Sequence, residues 1–185
     1  MGLILGLTGP NAAGKGEVAA HLASRGFAVH SLSDVVREAA AARGLPPERA
    51  HLIRIGNLLR EEGGPGVLAQ RILPRLETRS AVDSIRNPAE VEVLRGLPHF
   101  LLLGVVAPVE LRFGRMQSRG RAGDPTTLDG FRMREAQENT ADPAAQQLEA
   151  TLALADRRVD NGADLAQLHT AVDRLLEELL ATERS

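Results

Sequence analysis

Eight residues near the start of the chain, Gly9-Pro10-Asn11-Ala12-Ala13-Gly14-Lys15-Gly16, have the types and spacing to hold phosphate. Gly9 and Gly14 admit the tight, partly left-handed backbone that turns successive N–H groups toward one point, and Lys15 brings an ammonium to the same place. An apolar run over residues 3–8 precedes the loop and a stretch of helix formers over 15–24 follows it. Strand, loop and helix in that order add the partial positive charge of a helix N-terminus behind the loop amides. The ligand suited to such a cradle is the polyphosphate of ATP, with Gly9, Asn11, Ala12, Ala13, Gly14, Lys15, Gly16 and Glu17 as its candidate contacts. Lys15 is also the only lysine among the 22 basic residues counted as Lys plus Arg, the rest being arginine. A compact ammonium fits between phosphate oxygens where a planar guanidinium does not, which accounts for a lysine at this one position. A ligand-free strand-to-helix turn would use the glycines but has no need of the lysine.

The usual form of this loop continues with Ser or Thr, whose hydroxyl ligates Mg²⁺, and here Gly16 stands in that place with Glu17 after it. Either the site binds nucleotide weakly, or the ion is held by phosphates, water and an acid elsewhere. Asp83, at the end of an apolar run over 80–85, is the candidate metal-associated acid. Asp34 and Arg37 lie one helical turn apart after a second apolar run and can orient or deprotonate an acceptor hydroxyl and grip its phosphate. Asp34 or Ser33 would equally serve as a helix N-cap. Asn57, Arg60 and Arg86 complete the candidate acceptor contacts. Arg115, Arg119 and Arg121 flank a glycine-rich stretch and are candidates for closing over the phosphates and neutralising charge on a transferring group. For any one of them a solvated basic helix end is the plainer explanation; for the trio beside a hinge it is not.

These residues need elements to hold them. Short apolar runs predict strands over 3–8, 27–31, 80–85, 100–106 and 157–160. Helical periodicity predicts helices over 15–24, 34–43, 51–62, 66–78, 88–95, 109–119, 127–139, 144–155 and 164–182. Alternating strands and helices give a parallel sheet covered on both faces, with ligands at the carboxyl ends of its strands. At 185 residues one domain is expected over 1–185. Residues 45–77 interrupt the alternation and read as a helical substrate-binding insertion; residues 118–126 are polar and glycine-rich and read as a lid.

Composition sets the outer limits. A hydrophobic fraction of 43%, a charged fraction of 25% and a formal charge of −2 suit a soluble globular chain and give no reason to expect nucleic acid as a partner. The absence of cysteine excludes disulfides and thiolate sites and is compatible with a reducing compartment. The first apolar run is too short to span a bilayer and lacks the basic lead of a signal peptide, so a cytoplasmic protein with no membrane partner is expected.

Several stretches together resemble a family of P-loop nucleotide-kinase-like proteins best known from archaea and related to dephospho-coenzyme A kinase and adenylate kinase. They are Asp34-Val35-Val36-Arg37-Glu38, Asn57-Leu58-Leu59-Arg60-Glu61-Glu62-Gly63, Asp83-Ser84-Ile85-Arg86-Asn87-Pro88, Arg112-Phe113-Gly114-Arg115-Met116, Arg119-Gly120-Arg121-Ala122-Gly123-Asp124-Pro125 and Ala155-Asp156-Arg157-Arg158-Val159-Asp160-Asn161-Gly162. The resemblance covers nearly the whole chain. It implies a three-layer α/β P-loop kinase fold with a five-stranded parallel sheet in the order 2-3-1-4-5, and places Asn161 and Gly162 where such kinases wrap adenine. The chain departs from the family at Gly16, where Ser is usual, at Gly123-Asp124, where the lid often has two acids, and at Arg134-Glu135, where Arg-Asp is usual. The expected function is ATP-dependent phosphoryl transfer, with Mg²⁺, to a small nucleotide-like or coenzyme-like acceptor. A nucleoside monophosphate needs an arginine clamp and no base; dephospho-coenzyme A needs a base such as Asp34. A nucleotide-binding protein without turnover is the third possibility. A guanine-reading switch is excluded because its Asn-Lys-x-Asp motif needs a second lysine.

Overall fold

The computed structural model describes residues 2–120 and 123–182. Strand β1 (Leu3–Thr8) runs into the loop and helix α1 (Lys15–Ser24). Then follow β2 (Ala28–Ser31), α2 (Leu32–Ala41), α3 (Arg49–Gly63), α4 (Val67–Ile72) with a 3₁₀ turn (Leu73–Arg75), and β3 (Arg79–Asp83). The second half comprises α5 (Pro88–Arg95), β4 (Phe100–Val106), α6 (Val109–Arg119), α7 (Leu128–Glu138), α8 (Leu148–Ala153), β5 (Arg157–Asp160) and α9 (Leu165–Thr182). All strand pairs are parallel and the order is β2-β3-β1-β4-β5.

Alternation along β1 divides the core into two layers. Ile4 packs with Val82 and Leu102 against Val35 of α2, Leu59 of α3, Leu68 of α4 and Leu94 of α5. Leu5 and Leu7 face the other way, packing with Leu103 against Val18 and Leu22 of α1 and Leu168 and Val172 of α9. The three-layer α/β expectation is met. No helix among the described residues is long and apolar enough to cross a membrane.

Where boundaries differ from expectation, local chemistry explains it. Strand β3 stops at Asp83 because Ser84 turns to φ 66, with its N–H bonded to Asp83 Oδ1 at 2.6 Å. Helix α2 begins two residues early because Ser31, not Ser33 or Asp34, is the N-cap and accepts from Ser33 N–H. Pro74, which has no N–H to donate, ends α4 in a 3₁₀ turn. The helix expected over 144–155 shrinks to α8, because residues 140–147 are tied to the end of β3 instead. Gln147 N–H donates to Arg86 O, and the Asn87 amide donates to Pro143 O and Ala145 O.

Candidate active site

The loop's glycines answer to close approaches. At Gly9 (φ 136) a Cβ would lie 2.1 Å from Val105 O, and at Gly14 (φ 100) it would lie 2.0 Å from Asn161 Nδ2. A Cβ at Gly16 would meet nothing within 4 Å, so packing does not require glycine where Ser or Thr is usual. Asn161 is buried, donates from Nδ2 to Ala13 O at 2.8 Å, and so ties the end of β5 to the loop. Lys15 reaches back across the loop, its Nζ donating to Gly9 O at 2.7 Å and Pro10 O at 3.0 Å.

Around this loop opens a cavity of about 930 Å³ at the carboxyl end of the sheet. Asn11, Ala12, Gly14, Lys15, Gly16 and Glu17 line it, joined by Asp83, Arg86, Arg115, Arg119 and Asn161. Gly9 and Ala13 lie behind the loop, contributing the carbonyls bonded to Lys15 and Asn161. Gly162 donates its N–H to Asp160 Oδ1 at 2.6 Å and does not line the cavity. Burial, followed by the positive charge of Arg86, lowers the Lys15 pKa to about 8; Asp83 opposes the shift, and Arg112 and Arg119 add to it. Burial and then Arg49 hold Arg86 below the usual arginine range. Lys15 and Arg86 thus sit buried among further cations, a setting that suits a polyanion. Arg115 points the same way: Nη2 donates to Asn161 O at 2.8 Å, while Nη1 is buried with no partner among the described residues. An unsatisfied buried guanidinium nitrogen is costly, and a ligand oxygen would satisfy it. The cradle and this nitrogen fit a nucleotide. No group of three or more His, Cys, Asp or Glu suited to a metal occurs among the described residues, so Asp83 fits a bound ion only as a minor partner to phosphate and water.

Other expected site residues lie elsewhere. Asp34 and Arg37 pair with each other at 2.5 Å on the surface, each side chain more than half exposed, and neither lines the cavity. Arg60 is buried against Glu90, with Nη2 to Oε1 at 2.8 Å. Glu90 Oε2 also accepts from the N–H groups of Arg86 and Asn87, completing the cap of α5. Arg60 is thus a brace beneath the turn that carries Arg86, not a cavity residue. Asn57 lines a separate cavity of about 410 Å³ with Arg43, Arg54 and Glu61. Arg121 lies outside the described residues.

The structure adds residues the motifs did not assign. Arg112 donates from Nε to Ala107 O and from Nη1 to Asn11 O, both at 3.1 Å, and to Glu135 Oε1 at 2.5 Å, binding α6, the loop and α7 together. Its signal was legible: Arg112, Arg115 and Arg119 stand at i, i+3 and i+7, on one helix face. Glu138 accepts from Asn11 Nδ2 at 3.0 Å and from Arg49 at 2.6 and 2.7 Å, and no motif spacing announces it. Arg134 of α7 binds Asp124 Oδ1 at 3.3 Å and Gly123 O, both in the stretch expected to be a lid.

Comparison with known proteins fits this architecture. A protein described as UPF0200 from Hyperthermus butylicus is 34% identical over 181 residues, covering 96% of this chain and 95% of the relative. The chain belongs to the UPF0200 family. Another UPF0200 protein, from Pyrococcus abyssi, is 32% identical over 187 residues, covering 96% of this chain and 97% of its own. No family model matches the chain. Among solved structures, a Thermus thermophilus protein aligns with TM-score 0.63 and 24% identity, covering 96% of this chain and 98% of its own. Shikimate kinase from Bacteroides thetaiotaomicron aligns with TM-score 0.60 and 13% identity, covering 97% and 99%. At such identities the likeness is one of fold: this UPF0200 chain has the three-layer α/β fold of P-loop kinases. The kinship to dephospho-coenzyme A kinase rests on the sequence resemblance alone.

Proposed function

We propose that the chain transfers a phosphoryl group from ATP to a small nucleotide-like acceptor, a (deoxy)nucleoside monophosphate before a neutral alcohol. The observation that carries this reading is the cationic cavity built on the loop, with the Lys15 pKa lowered to about 8 and a buried Arg115 Nη1 that has no partner among the described residues. Loop amides and Lys15 hold the donor's phosphates, and Arg86 and Arg119, which both bear on Lys15, neutralise charge during transfer. Leu111 and Leu165, large apolar side chains that are 42% and 50% exposed, line the same cavity beside Asn161 and offer an apolar face to a base. Mg²⁺, when bound, would be held in part by Asp83 and would offset phosphate charge. Residues 1–185 act as one domain in this proposal, with 45–77 on the acceptor side and 118–126 as lid. The absence of Asp34 from the cavity weighs against a base-dependent acceptor.

One observation favours a second reading. Asp83 lines the cavity within electrostatic reach of Lys15, so a hydroxyl acceptor would find a base there rather than at Asp34. Kinases of hydroxyl substrates, shikimate kinases among them, share the fold. Calorimetric titration with ATP, followed by ADP release against nucleoside monophosphates, dephospho-coenzyme A and shikimate, decides between the readings. ATP affinity with and without Mg²⁺, in wild type and Asp83→Asn, separates kinase from idle binder. Mg²⁺-indifferent binding with no transfer to any acceptor rejects the kinase assignment.

A further inference from the structure

The cavity has a second cationic station, away from the loop. Arg49, at the start of α3, lines the cavity with its side chain 44% exposed. Arg49 Nη2 lies 2.6 and 2.7 Å from the two oxygens of Glu138, and its Nε lies 3.1 Å from Oε1. The Glu138 side chain is only 10% exposed and does not line the cavity, so it supports the guanidinium from behind. Glu138 Oε2 also accepts from Asn11 Nδ2 at 3.0 Å, so one carboxylate joins the phosphate loop to the first residue of α3.

Arg86 lines the same cavity as both stations. Of all charges, it bears most on Lys15, and Arg49 bears most on Arg86. Among the described residues its one side-chain hydrogen bond runs from Nη1 to Gln146 Oε1 at 2.8 Å. Lys15, Arg86 and Arg49 therefore share one cavity that reaches from the loop to the first residue of α3. If Lys15 marks the donor's phosphates, Arg86 marks the point of transfer and Arg49 the far side, where a group borne by the acceptor would sit.

We propose that Arg49 is the anion receptor of the acceptor subsite, acting with Arg86 on a phosphate of the acceptor, and that Glu138 is the positioning residue that aims it. This deepens the kinase reading and rests on it. It moves acceptor recognition from Asp34, Arg37 and Arg60 to the start of α3. It also sets the substrate class: the acceptor carries a fixed negative charge besides the atom that receives phosphate. Because Glu138 also holds Asn11, acceptor binding and loop geometry are linked through one carboxylate.

The test measures calorimetric binding of AMP, CMP, UMP and GMP, with the corresponding nucleosides as neutral controls, to the full chain. The variants are Arg49→Ala, Arg49→Lys, Glu138→Gln and Glu138→Asp; ATP affinity is measured in each. The expected result is that one or more monophosphates bind at least about tenfold more tightly than their nucleosides, the worth of one charge-assisted contact. Arg49→Ala removes that preference and leaves ATP affinity within about twofold, while Arg49→Lys, keeping the charge but losing the fork, recovers part of it. Glu138→Gln raises the acceptor KM more than it lowers kcat, and Glu138→Asp recovers part of the loss, which a merely structural residue would not show. Monophosphate binding unchanged in a folded Arg49→Ala that still binds ATP overturns the inference while sparing the kinase reading. Wild type that binds ATP but no monophosphate overturns it too. Failure of wild type to bind ATP rejects the kinase reading itself.

Discussion

The two halves of the cavity are held by different forces. On the side of the phosphate loop, the shape is built into the backbone: left-handed glycines, the Asn161 amide on Ala13 O, and loop carbonyls around Lys15. On the side proposed for the acceptor, side-chain ion pairs do the holding: Arg60 on Glu90 beneath the turn after β3, and Arg49 on Glu138. A backbone cradle suits a moiety that never varies, such as a polyphosphate, because its geometry is fixed by φ and ψ. Ion-pair scaffolding can be re-aimed by a few substitutions, which suits the half of a kinase that differs from one acceptor to the next.

The largest effect expected from separating these halves is on stability. Arg60→Ala leaves Glu90 buried without its partner and should cost about 3–5 kcal/mol by urea denaturation, while the folded fraction keeps its ATP affinity. A loss of ATP affinity without a loss of stability would erase the distinction. Lys15→Ala should do the reverse, lowering ATP affinity about 100-fold by calorimetry, on the scale of bonds to charged groups, with the fold intact because a crowded cation has been removed.

The glycines sharpen the contrast within the loop. Gly14→Ala puts a Cβ against the Asn161 amide at φ 100 and should cost about 1–3 kcal/mol, whereas Gly16→Ser enters open space and should stay within about 0.5 kcal/mol of wild type. Equal costs would mean that the loop is not held as described.

Titration offers a smaller effect. Between about 8 and the ordinary value of 10.5, the unfolded chain keeps the Lys15 proton that the folded, unliganded chain has released. The unfolded state then binds more protons, so the contribution of Lys15 to stability rises with pH across that window. ATP favours the ammonium, so its affinity should fall above about pH 8, by no more than about tenfold per unit, with proton uptake visible as a buffer-dependent heat. A flat profile would detach Lys15 from the ligand. Least affected should be Asp34→Asn: its exposed pair with Arg37 is worth about 0–1 kcal/mol, and ATP and monophosphate affinities should not move. A large loss of acceptor affinity there would return recognition to α2.

What the sequence determined by itself was whatever depends on near neighbours in the chain. The loop, strands β1, β4 and β5, and helices α1, α5 and α6 were legible at their observed bounds, because short-range periodicity, caps and glycine placement decide them. The strand order came from the family resemblance, and the paired strands confirm it. Asp83, Arg86, Arg115 and Arg119 were named from their positions at strand and helix ends and do line one cavity. Only tertiary structure decided what became of the other charges. Nothing in Asn57-Leu58-Leu59-Arg60 says that this arginine meets Glu90, thirty residues on, and nothing near Arg49 announces Glu138. The physical reason is that an arginine's spacing fixes its helix face but not its partner. A guanidinium goes to whichever carboxylate the packed layers bring within reach, and that is settled only when α3, α5 and α7 have come together.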